Sequence, residues 1–244
     1  MRIKHHKTSA VAMFGLAMAL LRAMAADPTA PAAAPQDAAA KPEVLYVDHM
    51  DQVVRNDLGG RNSVYIRAPS RAAFSKAGEY GKCDVAKGET NSGLKITFDK
   101  KNEGGSDGTG GFCGFYTLLH RGREDFLDAG EYKYVAFWVK GEKGDEKFKI
   151  GAADRTWAEI DDSVKSDEIG KYLPAGKITK DWQLAVIPVD SWFIDWKQLH
   201  AFSICFEGDL FESGAAQGVV YIDDMVLTKN KPDTNVLNTA RPAS

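Results

Sequence analysis

Between residues 44 and 228 the chain repeats one pattern, short runs of alternating apolar and polar residues cut by glycine-rich or charged turns. Alternation with a period of two puts every second side chain on the same face of an extended strand. Leu94-Lys95-Ile96-Thr97-Phe98 sets Leu94, Ile96 and Phe98 on one side. Val135 to Lys140 sets Val135, Phe137 and Val139 against Ala136, Trp138 and Lys140. Lys147 to Ile150, Trp182 to Pro188, Phe202 to Phe206 and Val219 to Ile222 complete the set, with turns at Gly104–Gly111, Gly141–Asp145 and Gly214–Gly218 between them. Short strands at this spacing predict an all-β sandwich or barrel, a single domain of about 185 residues. Helix is confined to short pieces near Asp190 to Leu199.

The segments flanking this region have another character. Residues 1–25 read as a signal peptide: Met1 to Lys7 is basic, Thr8 to Leu21 is apolar, and Ala23-Met24-Ala25 is a small-x-small cleavage site. The apolar run is shorter than the roughly 20 residues a spanning helix needs. The expected mature protein is exported, periplasmic or secreted, with no membrane span after cleavage. Residues 26–42 hold Ala, Pro and small polar residues without aromatics and read as a linker, and residues 229–244 read as a disordered tail.

Once residues 1–25 are set aside, 27 basic residues face 34 acidic ones, with no Lys/Arg block among them. A phosphate-tracking protein needs a concentrated basic surface, so nucleic acid is not an expected partner. Of the three cysteines, Cys83 and Cys113 lie in glycine-rich surroundings where the backbone can bend to bridge geometry. They are the favoured disulfide in an oxidising compartment. Cys205, in the middle of Phe202–Phe206, reads as a small packed thiol.

The order of motifs resembles a known pattern. Val47-Asp48-His49-Met50-Asp51 opens it, followed by Asn56-Asp57-Leu58-Gly59-Gly60 and Tyr132 to Gly141. Then come Phe148 to Asp154, Ile178-Thr179-Lys180-Asp181-Trp182-Gln183 running into Ile187-Pro188-Val189, and Val220-Tyr221-Ile222-Asp223-Asp224-Met225. This is similar to the galactose-binding-like jelly rolls, in particular carbohydrate-binding modules of family eleven and the domain of complex I intermediate-associated protein 30. The resemblance spans residues 44 to 228 and implies a jelly-roll β-sandwich that binds a polysaccharide or oligosaccharide. It also implies a structural calcium where first and last strands meet, with Asp48 and Asp223 as candidate ligands. Two carboxylates alone fall short of the six to eight oxygens calcium takes, and both aspartates also suit strand-end caps.

Strand parity supplies a candidate ligand face. If Val135, Phe137 and Val139 are core, Tyr134, Trp138 and Lys140 point the other way. Tyr116 and His120 share a parity of their own, and Asp154, Arg155 and Trp157 follow the Phe148–Ala153 strand. The C–H faces of a pyranose stack on aromatic rings, while carboxylates and guanidinium groups bind its hydroxyls.

Catalytic motifs are weak by contrast. Gly104-Gly105-Ser106-Asp107-Gly108 has the letters of a nucleophile elbow but lacks the apolar strand before it and the helix after it. Asp154, Glu159, Asp161 and Asp162 could make a glycosidase pair only if two stood about 5–10 Å apart across a sugar. The expectation is an exported, non-catalytic glycan-binding module. The alternatives are a protein-interaction or assembly domain with a protein partner, or a glycoside hydrolase or lyase on the same fold.

Overall fold

The structure is a computed structural model and describes residues 40–76, 93–103, 110–120, 122 and 125–233. The expected signal peptide, most of the expected linker, Cys83 and the Gly104–Gly108 motif lie outside these residues. The unit from Lys41 onward is a sandwich of two antiparallel sheets.

The strands are β1 (Val44–Asp48), β2 (Asn62–Ile66), β3 (Arg71–Lys76), β4 (Leu94–Lys100), β5 (Cys113–Leu118) and β6 (Tyr134–Gly141). They continue with β7 (Lys149–Asp154), β8 (Val164–Glu168), β9 (Gln183–Pro188), β10 (Leu199–Phe206) and β11 (Ala216–Thr228). One sheet runs β3-β4-β11-β6-β9, and β1 also pairs with β11; the other runs β2-β5-β10-β7-β8. β11 is long enough to take two partners in tandem, β4 along Ala216–Ile222 and β1 along Met225–Thr228. Between the two pairings its register shifts at Asp223–Val226, where Asp224 adopts a φ of 46°.

The expected parity appears in both sheets. Val135, Phe137 and Val139 are sealed between the sheets with Leu94, Ile96, Phe98, Ile150, Phe202, Ile204 and Phe206. Phe98 of one sheet stacks on Phe206 of the other at 3.8 Å between ring centres, and Phe148 meets Phe206 edge-on. Such pairs add to plain area burial.

Among the described residues helix is limited to single turns: α1 (Arg155–Glu159) and 3-10 turns of three or four residues that include Val189–Ser191 and Trp196–Gln198. The last two seat Trp192 and Trp196 beside Phe202, closing one end of the sandwich, and the Trp192 indole donates to the Ile150 carbonyl at 3.1 Å. The domain runs a little past the expected boundary at 228. The Lys229 amide donates to the Glu43 carbonyl, and Asn230 bonds the Glu43 carboxylate. Among the described residues no helix is long and apolar enough to cross a membrane.

Candidate functional site

The five-stranded sheet carries a cleft of about 1420 Å³ on its outer face. Its floor follows from residue size. On the central strands the outward positions hold Gly114 and Tyr116 (β5), Ala201, Ser203 and Cys205 (β10), and Gly151 and Ala153 (β7). Ser203 pairs with Tyr116 on one side and Gly151 on the other, so small residues on β10 and β7 lie beside the Tyr116 ring. Two of these positions leave no room for more. A Cβ on Gly151 would stand 2.3 Å from Ser203 Oγ, and one on Gly114 would stand 2.5 Å from the Tyr65 ring.

Larger groups make the walls. Ser63 and Tyr65 of β2 flank Tyr116 and Gly114, and the Tyr65 hydroxyl hydrogen-bonds with Cys205. Phe112 stands at the rim, one of the few exposed large apolar side chains. On the opposite side Ile160, Asp161 and Asp162 follow α1, and Lys165 joins Asp162 to Glu207, with 3.8 Å to the latter. Burial raises the pKa of Glu207, partly offset by Lys165. For Asp162 burial also acts upward, but hydrogen bonds from Lys165 and the Ser163 amide outweigh it and leave the carboxyl below its ordinary range.

One end of the cleft is cationic. Arg55 and Arg61 stand opposite each other on an isolated antiparallel bridge. Nearby, His120 Nε2 lies 2.7 Å from His200 Nδ1, and both rings pack on Phe126. The Arg155 guanidinium lies over the Phe126 ring, 5.6 Å from its centre. Burial, followed by the neighbouring His120, lowers the His200 pKa to about 4.

Measured against the candidate ligand face, the structure splits the set. Tyr116 and Arg155 line the cleft, as does His120. Asp154 is buried and its two oxygens hold backbone: Oδ1 accepts from the Trp157 amide at 3.0 Å and Oδ2 from the Asp195 amide at 2.8 Å. It is an N-cap that sets the end of the cleft. Trp157, half-buried on α1, is not among the lining residues.

Tyr134, Trp138 and Lys140 belong to β6, in the other sheet, so they share no face with Tyr116. Trp138 does point away from Phe137, but it is only 2% exposed, inside a second apolar cluster with Trp182, Leu184, Val219 and Tyr221. A ring so enclosed has no free face for a sugar. Lys140 is held there too, its ammonium 5.1 Å from the Trp182 ring centre and 5.3 Å from that of Tyr221. Strand parity was sound, but the three strands do not share one face as expected, because parity does not reveal which sheet a strand joins. Trp182 is buried in this second cluster as well.

The residues that the sequence did not reveal are Arg55, Arg61, Tyr65, Phe112, Phe126, Lys165, His200 and Glu207. Alternation in Asn62-Ser63-Val64-Tyr65-Ile66 was the available signal for Tyr65.

Both Asp48 oxygens accept protein hydrogen bonds, from the Met50 amide at 2.7 Å and Asn62 Nδ2 at 3.0 Å. Asp223 Oδ1 accepts from the Asp224 amide. Among the described residues no group of three or more His, Cys, Asp or Glu side chains could hold a metal ion. Calcium takes six to eight oxygens, so a cation between Asp48 and Asp223 would need backbone carbonyls or water besides these carboxylates. Cys113 is a buried free thiol, and its proposed disulfide partner Cys83 lies outside the described residues. Burial raises the Cys113 pKa to about 11, which suppresses the thiolate that disulfide exchange needs. Cys205 is also buried and free, as expected of a packed thiol.

Residues 72–229 match the sequence profile of Carbohydrate binding domain 30. No curated protein matches in sequence. Among solved structures, a family 30 carbohydrate-binding module is 17% identical and superposes with a TM-score of 0.52, covering 82% of this chain and 92% of its own. The family 11 module of the cellulosomal cellulase Lic26A-Cel5E of Clostridium thermocellum is 11% identical, also with a TM-score of 0.52, covering 78% of this chain and 96% of its own. The same organism's family 11 module in complex with a β-1,3-1,4-mixed-linked tetrasaccharide is 11% identical with a TM-score of 0.51, covering 76% and 95%. At these identities the structural likeness concerns the fold.

Proposed function

Because this chain belongs to the Carbohydrate binding domain 30 family, we propose that it is an exported, non-catalytic module that lays a glycan chain along the cleft of its five-stranded sheet. The observation that carries this reading is the contrast between the small residues Ala153, Ala201 and Ser203 and the aromatic side chains Tyr65, Tyr116 and Phe112 that line the same cleft. A trough of that kind admits a ribbon of sugar rings. Aromatic edges and faces meet the C–H surfaces, while Ser203, Ser163 and the charged rim bind hydroxyls. Within the cleft Tyr116 is the central contact, with Arg155 at one end.

Export rests on the basic, apolar and small-residue pattern of residues 1–25. A non-catalytic role is supported by the engagement of the acids. Asp154 caps α1, and Asp162 is committed to Lys165 and the Ser163 amide. Lys165 also stands between Asp162 and Glu207, where a hydrolase would need open space for the glycosidic oxygen. The test is calorimetric titration with soluble glycans. Binding that disappears in Tyr116→Ala, with the circular dichroism spectrum retained and no reducing ends released, supports the reading. Release of reducing ends that stops in Glu207→Gln would replace it with the hydrolase reading.

A further inference from the structure

Arg55 and Arg61 are partners on an isolated antiparallel bridge, so their side chains leave the backbone on the same side, next to each other. Like charges directly opposite across a ladder are destabilising. The usual remedy is a carboxylate between them, and among the described residues none lies within ion-pair distance of either guanidinium. Arg55 spends one N–H on the Gly59 carbonyl at 2.8 Å; Arg61 is exposed. Both line the cleft, at the end where His120 and His200 stand beside Arg155. Three of the four acids that line the cleft have cations elsewhere: Asp162 and Glu207 share Lys165, and Glu159 lies 3.7 Å from Arg155; the fourth, Asp161, is exposed beyond α1.

The aromatic inventory points the same way. The chain has five tryptophans, the side chains with the broadest ring for stacking on a neutral sugar, and none of them lines the cleft. Trp138 and Trp182 are locked in the second apolar cluster, Trp192 and Trp196 close the sandwich, and Trp157 sits half-buried within α1. What the cleft offers in place of an indole platform is a pair of guanidinium forks.

Resting on the glycan-binding reading above, we propose that the preferred ligand is an anionic glycan, whose carboxylate or sulfate is held by Arg61 and Arg55. A guanidinium fork matches a carboxylate or sulfate through two parallel N–H donors, and an anion between two arginines removes their mutual repulsion. Lysine at either position would keep the charge but lose the fork.

The experiment is affinity electrophoresis and calorimetry of the chain against four polymers: polygalacturonate and alginate for carboxylate, κ-carrageenan for sulfate, and mixed-linkage β-glucan as the neutral arm. The expected result is that at least one anionic polymer binds more tightly than β-glucan. Arg61→Gln then weakens that binding about 10- to 100-fold, the size of a lost charge-assisted contact. Arg61→Lys recovers only part of it, and Lys171→Ala, which removes an exposed charge paired with Asp167 away from the cleft, leaves it unchanged. Affinity falls as NaCl rises from about 0.05 to 0.5 M, while a purely neutral contact would be indifferent to such screening. The better of the carboxylate and sulfate arms identifies the acid group. Equal or tighter binding of β-glucan, unaffected by Arg61→Gln, would overturn this inference and leave glycan binding intact. Failure of all four polymers to bind would overturn both.

Discussion

The Tyr65 ring lies across Gly114, close enough that a single added methyl at residue 114 would reach 2.5 Å from its Cζ and hydroxyl, and 2.2 Å from the Ile204 carbonyl. One side of the cleft therefore depends on the absence of a side chain. Gly114→Ala is expected to lower stability by about 1–3 kcal/mol, the usual cost of overpacking a close contact. It should also displace Tyr65 and weaken glycan binding. Urea unfolding and calorimetry of the variant check this, and a variant as stable and as tight-binding as the parent would contradict it.

The two outer faces of the sandwich should respond oppositely to truncation. Trp138→Ala removes a ring that is 2% exposed, and should cost about 3–5 kcal/mol, as large aromatic deletions do. Tyr116→Ala removes a half-buried ring over the cleft floor, and should change stability far less while abolishing binding. Thermal melts of both variants, read beside their binding isotherms, separate the packing residue from the ligand residue.

Much of the fold was legible in the sequence because alternation reports burial directly. Leu94, Ile96, Phe98, Val135, Phe137, Val139, Phe202, Ile204 and Phe206 are all in the inter-sheet core. The site was legible only in part. Tyr116, His120 and Arg155 follow from position on or just beyond single strands, but joining them to Trp138 and Lys140 required knowing that β5 pairs with β2 and β10 whereas β6 pairs with β9 and β11. Those pairings arise from long-range packing and leave no local trace. Arg55 and Arg61 face each other through a bridge in a loop without apolar rhythm, so nothing periodic announces them. Asp154 had a readable signal, an aspartate three residues before the amide it caps, and its cap role outweighs a ligand role.

His200 gives a pH dependence with a definite sign. Its folded pKa is pushed down to about 4 by burial and by His120, from an ordinary value of 6.5. Between those values the unfolded chain takes up a proton that the native protein refuses, so stability is full above pH 6.5 and falls as the pH drops toward 4. His200→Gln removes that proton uptake. Urea midpoints across this window should slope less in the variant than in the parent; identical slopes would remove His200 as the cause.

Calcium provides a separate check on the Asp48–Asp223 region. With Asp48 occupied by Met50 and Asn62, the melting temperature should be the same with calcium and with a chelator. A site saturated at 100 times its dissociation constant would instead add about 2.7 kcal/mol and a visible rise in melting temperature. Such a rise, lost in Asp223→Asn, would restore the cation.

The central claim is that the glycan lies on the five-stranded sheet and not on the sheet that carries Trp138. Calorimetric titration of a bound polysaccharide into Tyr116→Ala and Lys140→Ala tests it most directly. Lost binding in Tyr116→Ala with parent-like affinity in Lys140→Ala is the predicted result. Parent-like affinity in Tyr116→Ala with lost binding in a folded Lys140→Ala would place the ligand on the opposite sheet and contradict the account.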